Sequence, residues 1–281
     1  MLNQSERIGL VSSFGPLVSA DWLHDHLADA DLRVIDLRWY LDGRSGREAY
    51  LAGHLPGAVF VDLDRDITGA AGPGRHPIPR REQFEEAMRA AGVEPDSRVV
   101  VYDDQGGFTA ARLWWLLPFF GHHAVAVLDG GLLAWQGPLD REPAGPARGG
   151  FRASAPDRSM VVDRDQVRAA DEAAIFDARA PERFRGEVEP IDAKAGHIPG
   201  ARNIPWRSNL GADWRFLPPD ELRRKYAVAE GREVIAYCGS GVSAGVDLLA
   251  LELAGVAGAK LYEGSWSDWS AQDLPVATGN E

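Results

Sequence analysis

An internal duplication constrains the fold of this chain more than any other feature, because short segments recur in the same order in its two halves. The matched segments are Val34–Arg38 with Ile175–Arg179, Gly53–Ala58 with Gly196–Ala201, Val99–Asp103 with Val234–Cys238, and Leu128–Gly130 with Tyr262–Gly264. The first pair shares the pattern Asp-x-Arg, and the second pair shares Gly-His-x-Pro-Gly-Ala. Such ordered matches at a nearly constant offset predict that each half is one folding unit.

The segment between the two halves has the composition of a linker. Residues 138–158 are rich in Pro, Gly, Ala and Arg and show no apolar periodicity. A chain of 281 residues is long enough for a substantial core on each side of it. We therefore predict two domains, residues 1–148 and residues 149–281.

Apolar or β-branched runs alternate with helical patterns in each half. Strands are predicted at Arg33–Ile35, Val59–Val61, Val99–Tyr102 and Ala126–Leu128, and again at Ala174–Phe176, Val234–Tyr237 and Lys260–Tyr262. Helices are predicted at Glu82–Ala91 and Ala110–Phe120, and from the i, i+3, i+4, i+7 spacing of Val246, Leu249, Ala250 and Leu253. The alternation predicts an α/β fold in which each domain is a mainly parallel sheet flanked by helices.

Charge and cysteine content exclude several classes of function. A net charge of −12 disfavours nonspecific binding to nucleic acid or to an anionic membrane surface. The longest apolar run, Leu113–Phe120, is too short to cross a bilayer, and Met1–Leu17 lacks the pattern of a secretion signal, so we predict a cytoplasmic protein. A single cysteine allows no internal disulfide and no multi-cysteine metal site. We predict that the protein needs neither a metal nor an organic cofactor.

Cys238 is the main candidate for chemistry. It ends a predicted strand and opens a glycine-rich loop before a helix, at the sheet edge where α/β proteins bind their ligands. Glycines let such a loop curl until its N–H groups converge, and the helix adds the positive end of its dipole. A thiol in that setting is expected to ionise readily and to act as a nucleophile, and the same amides can stabilise a persulfide anion. The loop residues assigned to this binding are Gly239, Gly241, Val242 and Ser243.

The alternative is a buried structural cysteine, which is the commoner fate of a lone cysteine. The position of the loop at the ligand-binding edge favours the functional interpretation.

The repeated Asp-x-Arg and Gly-His-x-Pro-Gly-Ala segments, together with the cysteine loop, resemble those of tandem-rhodanese sulfurtransferases over roughly residues 17–277. The resemblance implies two rhodanese domains. It also implies that the first domain is catalytically inactive, because Asp103 stands where the second domain has Cys238.

The residues after the cysteine indicate the sulfur donor. In the thiosulfate enzymes of the family that this chain resembles, the residues after the cysteine are basic. Here Gly239 and Ser240 make the loop neutral, as in 3-mercaptopyruvate sulfurtransferases. The resemblance also implies a proton relay formed by Ser240, His76 and Asp64.

A cation is needed to bind the carboxylate of such a donor. Arg183 matches the substrate arginine of the family. A second arginine usually follows a Glu-Pro segment in mercaptopyruvate enzymes, but here Asp192 stands at that position. This departure resembles the thiosulfate branch, and Arg185 and Arg75 are the candidates to replace the missing arginine.

Other duplicated residues are predicted to be structural. His54 and His197 occur in both halves, including the half without a cysteine, and Arg179 is expected to tie Asp177 or a neighbouring loop.

Two other classes of function remain as alternatives. A phosphatase with a Cys-x5-Arg loop requires arginine where this chain has Ala244, and a non-catalytic binding module has no use for an intact cysteine loop. We therefore predict a sulfurtransferase that moves sulfur from 3-mercaptopyruvate through a Cys238 persulfide to cyanide or to a thiol such as thioredoxin. Thiosulfate is the alternative donor, and a monomer is the expected state.

Overall fold

The structure is a computed structural model that describes residues 14–280. Residues 1–13, which hold most of the segment predicted to carry no secretion signal, lie outside the described residues. The first domain contains the strands β1 (Leu17–Val18), β2 (Leu32–Asp36), β3 (Val59–Phe60), β4 (Arg98–Tyr102) and β5 (Val125–Leu128). The second contains β6 (Val161–Val162), β7 (Ala174–Asp177), β8 (Arg202–Asn203), β9 (Val234–Tyr237) and β10 (Lys260–Tyr262).

Helices connect these strands. They are α1 (Ala20–His26), α2 (Gly46–Ala52), α3 (Leu63–Asp66), α4 (Arg81–Ala90) and α5 (Ala110–Phe119) in the first domain, and α6 (Arg164–Arg168), α7 (Pro181–Phe184), α8 (Pro219–Lys225), α9 (Ala244–Leu253) and α10 (Ser265–Trp269) in the second. The strand orders are β1-β5-β4-β2-β3 and β6-β10-β9-β7-β8, and the named pairs are all parallel. The two orders are equivalent, which confirms both the duplication and the predicted fold class.

The predicted elements are present. The missed ones are two-residue edge strands and helices of four to seven residues. The β-branched run of β4 is buried on both faces, as a central parallel strand requires. Helix α9 includes the predicted apolar stripe, and Gly255 follows its last turn with φ +82°. The edge strands β1, β6 and β8 were not predicted, because two residues are too few to show any periodicity.

The two domains pack through the helix that follows the equivalent loop in each of them. Helix α5 is buried along almost its whole length and lies against α9, where Gly245 approaches the backbone of Ala111 so closely that a Cβ on Gly245 would lie 2.9 Å from it. The apolar run at Leu113–Phe120 is therefore an interface helix. Among the described residues, no helix has the length and apolar character needed to cross a membrane.

The duplicated Asp-x-Arg segments form equivalent buried ion pairs. Arg179 donates to Asp177 at 2.7 Å and to the carbonyl of Gly196 at 2.6 Å. In the first domain, Arg38 donates to Asp36 at 2.6 Å and to a carbonyl oxygen in the equivalent place. Each pair fastens the strand end to the Gly-His-x-Pro-Gly-Ala segment, so the structural role predicted for Arg179 is confirmed.

The segment that links the two sheets stays bonded to the first domain. The N–H groups of Gly149 and Phe151 donate to carbonyls of the first domain at 2.9 and 3.0 Å, and that of Asp157 donates to the Phe119 carbonyl at 2.9 Å. The exact boundary after residue 148 stays a prediction.

Candidate active site

Cys238 directly follows β9 and therefore lies at the carboxyl end of the central strand of its sheet. The N–H group of Gly241 donates to the Cys238 sulfur at 3.1 Å. Gly241 has φ +83°, and a Cβ there would come within 2.9 Å of the Glu263 carbonyl oxygen, so this turn requires glycine. The loop thus curls as predicted, and it places a backbone dipole on the sulfur.

The start of α10 holds the cysteine backbone in place. The Cys238 N–H group donates to the Ser265 hydroxyl at 3.2 Å, and the Cys238 carbonyl accepts from the Trp266 N–H group at 2.9 Å. The Gly239 carbonyl accepts from the Ser267 N–H group at 2.9 Å. With its backbone bonded on several sides, the loop is organised before any ligand arrives.

The sulfur faces a cleft of about 650 Å³ between the two domains. Cys238 is 2% exposed and packs against the apolar core, and it is also one of the residues that line this cleft. The first domain contributes Trp39, Leu41, Arg75, His76 and Phe108 to the lining, and the second contributes Arg179, Ala180, Arg183, Ile191, Trp206, Cys238, Gly239, Ser240, Val242 and Ser243. Both domains are therefore needed to form the cleft.

His76 and Asp64 lie together, as the resemblance implies. The His76 Nε2 atom is 3.2 Å from an Asp64 oxygen, and the Trp39 indole N–H group donates to the other oxygen at 2.8 Å. Nδ1 of His76 is buried without a hydrogen-bond partner among the described residues. Burial lowers the pKa of His76 below its ordinary value of 6.5, although the Asp64 charge opposes this shift. The ring is thus neutral at pH 7, and Nδ1 can serve as an acceptor.

Ser240 lies in the same cleft, and its hydroxyl makes no hydrogen bond to a residue in the described range 14–280. Its side chain is therefore available to a ligand, and the structure shows no hydrogen bond between Ser240 and His76.

Besides Arg179, which is held in its ion pair with Asp177, two arginines line the cleft, one from each domain. Arg183 donates to Glu189 at 2.7 Å and to Asp192 at 2.9 Å, and Arg75 of the first domain forms an ion pair with the same Asp192. Arg185, the other candidate for the missing cation, is bonded to Glu187 outside the cleft lining. Asp192, which stands where the family pattern has an arginine, thus pairs with both Arg75 and Arg183.

Arg112 was missed by the sequence analysis. It extends from α5, is 1% exposed, and donates to the carbonyls of Gly241 and His76 at 3.0 Å each. Burial lowers its pKa to about 10, so it remains charged at neutral pH. It ties the cysteine loop to the histidine across the domain interface. The sequence did contain a signal for Arg112, because it is the single charged residue in the otherwise apolar helix α5.

Within residues 14–280, no cluster of His, Cys, Asp or Glu side chains is arranged to hold a metal ion.

Comparisons with known proteins agree with this architecture. The model of the rhodanese-like domain matches residues 19–138 and 163–272. A Pseudomonas aeruginosa protein with the provisional name 3-mercaptopyruvate sulfurtransferase is 44% identical over 95% of this chain and 100% of its own. A Mycobacterium tuberculosis protein with the provisional name thiosulfate sulfurtransferase is 42% identical over 88% of this chain and 90% of its own.

Among solved structures, SseA from Escherichia coli, a 3-mercaptopyruvate sulfotransferase, is similar with a TM-score of 0.80 and 38% identity, over 90% of this chain and 99% of that one. The chain therefore belongs to the rhodanese family, and it is a sulfurtransferase built from two rhodanese-like domains.

Proposed function

We propose that this protein transfers sulfur from 3-mercaptopyruvate, and that Cys238 carries the sulfur as a persulfide. The observation that carries the proposal is the placement of the Cys238 sulfur in a cleft that also holds arginines and a neutral, unpartnered histidine nitrogen. The neutral loop residues Gly239 and Ser240 favour a donor whose charge lies on a remote carboxylate. The P. aeruginosa and E. coli relatives carry the name of this activity.

In the first half-reaction, the Cys238 thiolate attacks the sulfur of the donor. A sulfur–sulfur bond forms, the carbon–sulfur bond of the donor breaks, and its electron pair moves to carbon as the enolate of pyruvate. Arg183 binds the donor's carboxylate, and the Gly241 N–H group stabilises the persulfide. The amides of Gly239, Val242 and Ser243 act with it.

The relay moves one proton during this step. Since Nε2 of His76 faces the Asp64 carboxylate, a proton on Nε2 leaves the lone pair on Nδ1. The Ser240 hydroxyl passes the proton of the donor's thiol to Nδ1, and the same proton returns to the enolate carbon to give pyruvate. Asp64 holds the ring in this tautomer.

In the second half-reaction, an acceptor thiol such as that of thioredoxin, or cyanide, takes the outer sulfur and releases the Cys238 thiolate. Residues 1–148 act as an inactive domain that completes the cleft, and residues 149–281 carry the reactive cysteine. We also propose that the reaction takes place in the cytoplasm. We propose a monomer as the active state, because one chain supplies both walls of the cleft.

The donor preference is tested by steady-state kinetics with 3-mercaptopyruvate and thiosulfate. We expect kcat/KM to favour 3-mercaptopyruvate by at least about tenfold. Mass spectrometry of the peptide that contains Cys238 should show one added sulfur atom after exposure to the donor. A preference for thiosulfate, the donor named for the M. tuberculosis relative, would reassign the donor while keeping the chemistry of the cysteine.

The pH dependence of the reaction should report on His76. Because burial lowers its pKa, the ring takes up a proton only below pH 6.5, and the relay stays competent down to that point. We therefore expect the rate of pyruvate formation to fall below pH 6.5 in the wild-type enzyme. His76→Asn should be slow at every pH and lack this inflection, whereas the exposed His123→Asn should keep it. An inflection that survives in His76→Asn would contradict the relay.

A further inference from the structure

We propose that Arg75 and Arg183 form a clamp for the donor's carboxylate that spans the two domains, and that Asp192 is the residue that positions it. The clamp rests on the proposed function, because its ligand is the carboxylate of the donor. Arg75 belongs to the domain without a cysteine. That domain would then bind the donor as well as forming one wall of the cleft.

The free ends of the two guanidinium groups converge on the cysteine loop. Arg75 uses Nη1 for Asp192, and Arg183 uses Nη2 and Nε for Asp192 and Glu189. A Cβ built on Gly239 would lie 3.0 Å from Nη2 of Arg75 and 3.5 Å from Nη1 of Arg183. Neither nitrogen donates a hydrogen bond to any other residue that the structure describes. Each arginine thus presents an available NH₂ group beside the residue that follows the cysteine.

Asp192 allows two positive groups to lie so close together. Its side chain is 4% exposed, and it accepts one hydrogen bond from each arginine, one oxygen to each. Burial lowers the pKa of Arg75, and the charge of Arg183 lowers it further, while Cys238 and Glu189 oppose the shift. Two guanidinium groups this close repel one another. A carboxylate between them offsets this repulsion and sets their spacing.

Glu189 has a different role, because its oxygens are already saturated. They accept from Arg183 at 2.7 Å, from Arg179 at 3.2 Å, and from the N–H groups of Ile191 and Asp192 at 3.1 and 3.0 Å. Glu189 therefore fixes the loop that carries Asp192, and Asp192 pairs with the Arg75 guanidinium of the first domain.

The charges of the clamp select between donors. Two arginines face two carboxylates, so the group is neutral overall before a ligand binds. A neutral group with two free NH₂ ends suits a carboxylate with a single charge. It suits a dianion such as thiosulfate less well, because the second negative charge meets no surplus cation.

The test compares two donors that differ only in the carboxylate. 3-Mercaptopyruvate carries it, and mercaptoacetone has a methyl group in its place, so a residue that binds the carboxylate should matter for the first donor alone. We expect Arg75→Met to lower kcat/KM for 3-mercaptopyruvate by about ten- to hundredfold, mainly through KM. The value for mercaptoacetone should not change. Arg75→Lys should recover part of the loss, because lysine retains the positive charge but lacks the planar guanidinium that donates two parallel hydrogen bonds.

Arg185→Met is the matched control, since Arg185 pairs with Glu187 away from the cleft and should leave both donors unaffected. An equal loss for the two donors in Arg75→Met, or no loss for 3-mercaptopyruvate, would overturn the clamp. A wild-type enzyme that uses the two donors equally well would also overturn it but would leave the persulfide chemistry standing. A wild-type enzyme that uses neither donor would overturn the proposed function and the clamp together.

Asp192→Asn tests the positioning residue, because it removes the charge and keeps the size of the side chain. The clamp then gains one net positive charge, which benefits a dianion more than a monoanion. We expect the ratio of kcat/KM for thiosulfate to that for 3-mercaptopyruvate to rise by about tenfold. An unchanged ratio would overturn the role of Asp192.

Discussion

Replacing Cys238 with serine is expected to lower the rate of sulfur transfer from 3-mercaptopyruvate by at least about 10³-fold. A serine hydroxyl at this position can still accept the hydrogen bond from the Gly241 N–H group, so the loop should keep its shape. It cannot form a persulfide, because the sulfur nucleophile is gone. The measurement is the rate of pyruvate formation with cyanide as acceptor, alongside thermal unfolding to show that the fold is intact.

Alkylation supplies the control for access to the sulfur. Cys238 is the only cysteine in the chain, so iodoacetamide labelling reports on this thiol alone. Although it is 2% exposed, it lines the cleft, and we expect the wild-type thiol to be labelled at neutral pH. A folded Cys238→Ser variant that retains a tenth of the activity would contradict the proposed mechanism. A thiol that resists labelling would contradict access through the cleft.

Replacing Asp103 with alanine should have the largest effect on stability. The buried Asp103 carboxylate fills the loop of the first domain that corresponds to the cysteine loop of the second. It accepts from the N–H groups of Gln105, Gly107, Thr109 and Ala110 at 2.8, 2.9, 2.8 and 2.9 Å, and from the Thr109 hydroxyl at 3.2 Å. Alanine leaves the four N–H groups without this acceptor, whereas the Thr109 hydroxyl keeps the Leu37 carbonyl at 2.6 Å, and we expect the free energy of unfolding to fall by about 4 kcal/mol.

Urea denaturation of the full chain measures this loss. The exposed Asp96→Ala is the matched control and should change the free energy of unfolding by less than about 0.5 kcal/mol. A loss below about 1 kcal/mol for Asp103→Ala would show that the loop does not depend on its carboxylate.

Asp103 also clarifies what the duplicated loop is suited to hold. In the first domain, the N–H groups of the loop converge on a carboxylate supplied by the chain itself. Residues of the second domain close this loop from outside, since a Cβ on Gly106 would meet Leu210 at 2.6 Å. In the second domain, the same type of loop has a cysteine and opens into the cleft. The comparison supports anion binding by the cysteine loop, because N–H groups of the corresponding loop in the first domain already converge on the Asp103 carboxylate.

The sequence alone was sufficient to predict features that depend on local patterns. The duplication predicted two equivalent sheets, and the β-branched runs predicted their central strands, because buried parallel strands need continuous apolar residues. The glycines at 239 and 241 predicted a curled loop at Cys238, and Gly241 adopts a positive φ that is accessible mainly to glycine. The pairing of His76 with Asp64 followed from the family resemblance and not from any local pattern.

The tertiary structure decided which distant charges meet. Arg75 and Asp192 are 117 positions apart, and Arg112 and Gly241 are 129 positions apart, so both contacts exist only once the two domains have packed. A sequence does not show whether solvent or an opposite charge surrounds a charged residue. The burial of these charged residues and their partners are set by the packing of the two domains, including that of α5 against α9. For this reason the sequence predicted Cys238, its loop and Arg183, and only the packed domains showed that Arg75, and not Arg185, lies beside that loop.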